Sequence, residues 1–236
     1  MILFTQLLLA HLIGDFLLQP NKWVLDKEKK QEKSIYLYLH VALHFVLMLV
    51  FVGQKDFLFY ALLLALSHGI IDLIKLKFQK NKTKRYWFLA DQLLHLIFIF
   101  IVVLIFNDIP INSLAINDST WIILTGILFL TKPTSIGIKT IISIWTPENK
   151  NKDNSLQNAG NYIGILERLF VFFFIITHHF EAIGFLLAAK SIFRFGDLKE
   201  AKDRKLTEYV LIGTLLSFGV ALLIGLLVQI SLGFSF

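Results

Sequence analysis

The chain consists of long apolar runs separated by short polar segments, and this pattern governs the prediction of its structure. An α-helix needs about 20 largely apolar residues to cross the hydrocarbon core of a bilayer. Most of the runs reach or approach that length, so we predict an all-α, polytopic integral membrane helical bundle. The predicted spans cover residues 2–19, 34–52, 57–74, 86–106, 121–145, 162–177, 182–195 and 209–232.

Two of these runs are irregular. Lys132 and Pro133 interrupt the run 121–145, and a proline can break or kink a helix at such a position. The run 182–195 is short, so its length alone allows either a full crossing or a re-entrant segment. The first run lacks a basic start and contains ionisable residues, which argues against a signal peptide.

The basic residues decide the predicted topology. Most of the 23 Lys and Arg residues fall in four segments, at 20–33, 75–85, 150–152 and 194–205. All four lie on one side of the membrane if the run 182–195 crosses it, and the positive-inside rule makes that side cytoplasmic. We therefore predict about eight transmembrane helices with both termini outside, in a bacterial inner (cytoplasmic) membrane.

The composition excludes several classes of protein. Hydrophobic residues make up 56% of the chain, charged residues make up 17%, and the mean hydropathy is +0.69. A soluble domain carries about a quarter charged residues, so a cytosolic enzyme, a secreted scaffold and a disordered chain are excluded. The absence of cysteine excludes disulfides, thiolate metal sites and cysteine nucleophiles.

The net charge of +6 is explained by basic cytoplasmic loops and does not indicate nucleic-acid binding. The expected partners are membrane lipids. The sequence leaves a homo-oligomer open.

Each of the first four apolar runs contains two ionisable residues spaced four apart. Residues at positions i and i+4 share one face of a helix, so each run presents one face with two ligands. In the predicted topology all four pairs lie at the cytoplasmic end, with Asp15, His40, Asp72 and Asp91 shallower than their partners. The pairs are His11/Asp15, His40/His44, His68/Asp72 and Asp91/His95.

These residue types favour a metal site. Imidazole and carboxylate groups suit zinc, iron or manganese, and inward-facing ligands on four helices can hold one or two ions, as in di-metal bundles. We expect one or two divalent ions at all eight residues, zinc before iron or manganese. Asp15, Asp72 and Asp91 are the predicted catalytic carboxylates. Gln19 and Gln92 are predicted to hydrogen-bond to the ligands.

Two other interpretations of the pairs remain open. Ionisable groups inside a membrane also form proton or ion pathways. Polar side chains can also simply hold membrane helices together by hydrogen bonds.

The C-terminal half carries a different polar set, which we predict near the cytoplasmic ends of its helices. These residues either form structural ion pairs or bind an anionic substrate, since an arginine binds phosphate in a bidentate way. The candidates are Glu167, Arg168, Lys190, Arg194, Glu208 and Tyr209.

We divide this one membrane domain into three parts. Residues 1–106 form the four-helix His/Asp bundle. Residues 107–158 contain an outer loop, the interrupted span and a polar linker. Residues 159–236 contain the C-terminal helices with the Glu/Arg/Lys cluster.

The stretch LLLAHLIGDFLLQ at 7–19 resembles the opening of an uncharacterised bacterial membrane family, domain of unknown function 3307. Later strings extend the likeness over nearly the whole chain: HVALH, SHGIID, DQLLH, YIGILER, AAKSIFRF and EYVLIGTLLS. That family implies no activity. A looser resemblance, through His11 and the Gly14-Asp15 pair, is to membrane-bound metal-dependent hydrolases, although their HRxxTH-type segment is absent here.

The pattern therefore predicts an integral membrane metal-dependent hydrolase. Its substrate would be lipid-like or phosphorylated and would approach from the cytoplasmic side. The first alternative is a divalent metal ion or proton-coupled transporter that uses the same residues. A di-iron membrane oxidase is the third interpretation.

Overall fold

The computed structural model describes residues 2–106, 117–146, 154–201 and 204–234, with the backbone alone at 154–158, 193–201, 204 and 206. All regular structure in these ranges is helical, which confirms the all-α prediction. The helices are α1 (Ile2–Leu12), α2 (Asn21–Lys30), α3 (Ile35–Val52), α4 (Leu58–Phe78), α5 (Lys84–Phe106), α6 (Asp118–Phe129), α7 (Lys132–Ile141), α8 (Asn154–Ile176), α9 (Phe180–Ala201) and α10 (Arg204–Ser231).

The chain divides into two compact units, Met1–Thr125 and Gly126–Phe236. In the N-terminal unit α1 packs against α3 and α5, and α4 packs against the same two helices. The four helices therefore close into a ring around a common interior. At the end where α3 stops and α4 begins, this interior is filled by apolar side chains such as Val52, Phe57 and Phe106.

The chain turns sharply at the other end of this bundle. A single π-helical turn, Ile13–Leu17, follows α1, and α2 then leaves at 83° to the first helix. Helix α2 is polar, and its Trp23 ring stacks on Tyr36 at the start of α3, with ring centroids 5.4 Å apart. The Ser34 hydroxyl donates a 2.7 Å hydrogen bond to Asp26. These contacts hold α2 across the end of the bundle.

In the C-terminal unit α8 and α10 pack along each other, and α7 packs against both. Gly225 allows their close approach, because a Cβ atom there would lie 2.5 Å from the Ile175 side chain. The interrupted run is broken between α6 and α7, which are inclined by 40°. Pro133 stands in the first turn of α7, where a proline needs no hydrogen-bond donor.

Several long apolar helices are compatible with a membrane protein. Five helical segments of the described chain are long and apolar enough to cross a bilayer, and up to seven crossings result if each bent pair counts as one. The five are Ile35–Val52, Lys55–Phe78, Lys84–Phe106, Ala159–Ile176 and Thr207–Ser231. Helix α9, which contains the short run 182–195, is not among them.

Candidate metal centre

The interior of the N-terminal bundle contains all eight of the paired His and Asp residues. Asp15 is half-buried in the π-helical turn after α1, and the other seven are buried. Helix α1 supplies His11, α3 supplies His40 and His44, α4 supplies His68 and Asp72, and α5 supplies Asp91 and His95.

The carboxylate of Asp15 is the point on which the imidazoles converge. Its Oδ1 atom lies 3.0 Å from Nε2 of His44 and 3.1 Å from Nε2 of His40. The same atom is 3.4 Å from Nε2 of His68, and Oδ2 is 3.8 Å from Nε2 of His11. Four histidines therefore direct the same ring nitrogen toward one carboxylate, as ligands around a common centre do.

The deeper histidines form a stack. The rings of His44 and His68 lie 3.9 Å apart between centroids, and those of His68 and His95 are also 3.9 Å apart. In the described part of the chain, both ring nitrogens of His95 and the Oδ1 atom of Asp91 are buried without a hydrogen-bond partner. Buried polar atoms almost always have a partner, so these atoms are free to serve as ligands.

Three groups of these residues have ligand atoms that all lie within 4.8 Å of one another. The groups are His11/Asp15/His44/His68, His40/His68/Asp72 and Asp15/Asp91/His95. The last two share no residue. The buried cluster could therefore hold one metal ion, or two ions at once.

Local geometry at Gly14 explains why glycine precedes Asp15. A Cβ atom at this position would lie 2.5 Å from Cε1 of His44, so a larger residue would displace that ring. The π-helical turn rotates the following residue relative to an α-helix and is frequent at functional sites. Together the glycine and the turn bring Asp15 among the histidines of the other helices.

Both predicted glutamines contact the cluster. The Gln92 amide nitrogen donates to Asp15 at 3.0 Å and to Asp91 at 3.2 Å. The Gln19 amide lies 3.0 Å from Nε2 of His40. These contacts orient the carboxylates and one imidazole, as the hydrogen-bond partners of metal ligands do.

Two lysines at the site did not emerge from the sequence. Lys27 of α2 is only 4% exposed and donates to Oδ2 of Asp72 at 2.7 Å. Lys75 of α4 donates to Oδ2 of Asp91 at 2.8 Å. The position of Lys75 three residues after Asp72 was a usable signal, because i and i+3 share a face. Lys27 reaches the cluster through the bend before α2.

A cleft of about 50 Å³ reaches the cluster from the side of α2. That volume has room for a few water molecules. Its lining includes Asp15, Gln19, Lys27, Asp72, Lys75 and Gln79. Asp15 and Asp72 therefore line an opening at the end of the bundle that carries the basic segments 20–33 and 75–85.

The opposite side of the cluster is packed with apolar side chains. On each of the four helices, the residue one turn further from the carboxylates than the histidine is buried and apolar. The histidines from which these turns are counted are His11, His44, His68 and His95. The apolar residues are Leu7, Met48, Leu64 and Ile99. Gln6 is a buried polar residue on this side, and neither of its amide atoms has a hydrogen-bond partner among the described residues.

The C-terminal polar residues lie in the other unit. Arg168 donates to the carbonyl oxygens of Leu130 and Thr131, at 2.7 and 3.3 Å, and to the hydroxyls of Ser135 and Ser217, at 2.6 and 3.0 Å. It thereby satisfies carbonyl groups freed by the break between α6 and α7.

The remaining residues of that set are positioned as follows. Lys190 forms an ion pair with Glu167. Glu208 is exposed and Tyr209 is half-buried, both on α10, while Arg194 lies in the part of α9 whose side chains are not described. Anion binding by this set stays a prediction.

Fold and site together define an all-helical protein with apolar, membrane-compatible helices and a buried His/Asp cluster able to hold metal. The sequence model of the family described as "Protein of unknown function (DUF3307)" matches residues 3–124. This is more than half of the 236 residues, and the chain belongs to that family. The match covers the unit with the cluster, including the strings HVALH, SHGIID and DQLLH, whereas YIGILER, AAKSIFRF and EYVLIGTLLS lie outside it. No curated protein and no solved structure matches the chain.

Proposed function

We propose that this protein is an integral membrane metal-dependent hydrolase that acts on a lipid-like or phosphorylated substrate at the cytoplasmic side. The observation that carries the proposal is the convergence of four imidazoles on Asp15 beside an open cleft. A ligand set next to an access route fits a reaction centre, since a purely structural cluster has no need of an opening.

The proposed topology has eight crossings with both termini outside, in a bacterial inner membrane. If each bent helix pair crosses the membrane once, the described helices give up to seven crossings, and α9 is the eighth. This arrangement puts the basic segments 20–33 and 75–85 in the cytoplasm, as the positive-inside rule requires. The cleft beside α2 then opens to the cytoplasm.

The proposed cofactor is one or two divalent ions, with zinc first and iron or manganese as alternatives. The mixture of imidazole and carboxylate donors suits all three metals. When bound, such an ion lowers the pKa of a water ligand toward about 7 and polarises an ester or phosphoryl oxygen.

The residues of the cluster have different roles in the proposed reaction. Asp15 and the histidines hold the ion. Asp91 accepts the proton of the attacking water on Oδ1, which is buried without a partner in the described chain, while Lys75 holds Oδ2. The water oxygen bonds to the acyl carbon or phosphorus, the bond to the ester oxygen breaks, and Asp91 returns the proton to the leaving alcohol. Gln92 keeps the carboxylates of Asp15 and Asp91 in place by donating to both.

A divalent metal transporter is the second candidate, and Gln6 is the observation that favours it. Its two amide atoms are buried without a partner among the described residues, and they could contact an ion on the far side of the histidines. The apolar layer of Leu7, Met48, Leu64 and Ile99 opposes a continuous path. A di-iron oxidase would use the two separate ligand groups and is the third candidate.

Hydrolysis and transport can be separated with one purified preparation. Zinc-loaded protein in detergent is tested for phosphate release from p-nitrophenyl phosphate and phosphatidic acid, and proteoliposomes are tested for zinc flux. We expect zinc-dependent turnover that falls by about 100-fold or more in Asp91→Asn, the range for loss of a general base.

His179→Ala is the matched control, because His179 is an exposed histidine whose contact is with Thr177. It should retain full turnover. Zinc flux through wild-type liposomes without any turnover would contradict the hydrolase and favour the transporter.

A further inference from the structure

We propose that Lys27 and Lys75 form the subsite that binds the phosphoryl group of the substrate beside the metal ions. This inference rests on the proposed function and specifies the substrate class. It places anion binding in the N-terminal unit, at two residues that are not among the eight proposed metal ligands.

The two ammonium groups both lie beside the carboxylate of Asp72, with Nζ of Lys27 2.7 Å from its Oδ2 atom and Nζ of Lys75 4.0 Å from its Oδ1 atom. Both lysines line the same cleft as Asp15, and each donates to a different carboxylate of the cluster. A lysine ammonium has three N–H donors. Among the described residues each of the two makes one hydrogen bond, which leaves donors for a ligand that enters the cleft.

The charge of the cluster requires an anion once metal is bound. Asp15, Asp72 and Asp91 contribute three negative charges, and Lys27 and Lys75 contribute two positive charges. Glu28, also at the cleft, is paired with Lys84. Metal-bound imidazoles are neutral.

The site alone therefore has a net charge of about −1, one divalent ion makes it about +1, and two make it about +3. A buried net charge is costly unless it is paired. The loaded site therefore favours an anionic ligand, which is hydroxide while the cleft holds water and the phosphoryl group when substrate is bound.

A phosphoryl group fits this arrangement better than a carboxylate. It offers at least three oxygens, so it can contact a metal ion and both ammonium groups at once, whereas a carboxylate has two oxygens. Lysine is a common ligand for phosphate as a point charge. The buried Oε1 atom of Gln79, which lacks a partner among the described residues, can accept a hydrogen bond from the hydroxyl of a phosphate ester or from bound water.

The test is calorimetric titration of inorganic phosphate into zinc-loaded protein. We expect wild type to bind phosphate and the variants Lys27→Met and Lys75→Met to bind it about tenfold more weakly or worse. Lys30→Met and Lys77→Met are matched controls on the same two helices, since these lysines are 54% and 45% exposed in their side chains. Both controls should bind phosphate like wild type.

Zinc content is measured on every sample, so failure of the site and failure of the subsite can be distinguished. A wild type without zinc would refute the proposed function itself. If the zinc content is normal but wild type does not bind phosphate, the subsite alone is refuted. The same holds if the zinc content is normal and both lysine variants bind phosphate as tightly as wild type. Loss of zinc from both lysine variants would assign them to holding the carboxylates and would also overturn the subsite.

A second arm identifies the source of the phosphoryl group. The thermal stability of zinc-loaded protein is compared in phosphatidylcholine nanodiscs, alone, with inorganic phosphate, and with phosphatidic acid. Lysine-dependent stabilisation by phosphate alone indicates a soluble ester, and stabilisation by phosphatidic acid indicates a lipid headgroup. No stabilisation by either would contradict the subsite.

Discussion

A small change at Gly14 would disturb the candidate metal centre. The ring of His44 occupies the space that a Cβ atom at position 14 would need. His44 in turn approaches Asp15 to 3.0 Å. The distance between two proposed ligands therefore depends on the absence of one methyl group.

We expect Gly14→Ala to weaken zinc binding by about tenfold or more, equivalent to ~1.4 kcal/mol, because the displaced His44 ring no longer reaches the common centre. A competition titration against a chelator measures the change. Gly137→Ala is the control, since among the described residues no atom beyond its chain neighbours and its own helix backbone lies within 4 Å of a Cβ there. Unchanged zinc affinity in Gly14→Ala would show that His44 is not a ligand.

At the scale of the elements, the helical spacing of four residues was enough to predict which side chains meet inside the N-terminal bundle. Each pair shares a face, and a closed ring of four helices leaves one interior for those faces. Lys27 could not be predicted in this way. Its contact with Asp72 depends on an 83° turn after a π-helical segment, and neither feature has a periodic signature.

The broken span illustrates the same limit. Pro133 predicted an interruption, but the way in which the freed carbonyl groups are satisfied depends on Arg168 from a helix far along the chain. A sequence pattern predicts where a helix is interrupted, but tertiary contacts determine which groups hydrogen-bond to the carbonyls freed there.

Arg168→Met should destabilise the protein by about 3 kcal/mol or more, because it leaves the Leu130 carbonyl without its side-chain donor and removes the hydrogen bonds to Thr131, Ser135 and Ser217 in a buried place. Thermal unfolding in detergent measures this loss. Arg168→Lys should restore it only in part, since an ammonium lacks the planar fork of a guanidinium. Zinc content should stay at the wild-type value, and its loss would contradict the assignment of metal to the N-terminal unit.

At the scale of the whole molecule, the proposed topology depends on how the bent helix pairs and α9 cross the membrane. Five helices qualify as spans on their own, and two further crossings depend on bent pairs. Charge in the connecting segments, rather than helix length, supports the eight-crossing arrangement.

Cysteine labelling tests the topology directly, because the natural chain contains no cysteine and an introduced one is unique. Lys55→Cys and Lys82→Cys occupy exposed positions at opposite ends of α4. With a membrane-impermeant maleimide on intact cells, we expect Lys55→Cys to react and Lys82→Cys to react only after lysis. The reverse pattern would invert the topology and move the cleft to the outer side.

The central claim is that the buried His/Asp cluster binds metal, and metal content by mass spectrometry on the purified protein tests it most directly. Wild type is compared with His44→Ala and Asp15→Ala, and with His179→Ala as the control. We predict one or two ions per chain in wild type and in the control, and a marked loss in the other two variants. A wild type that carries no metal after incubation with zinc, iron and manganese would contradict the account.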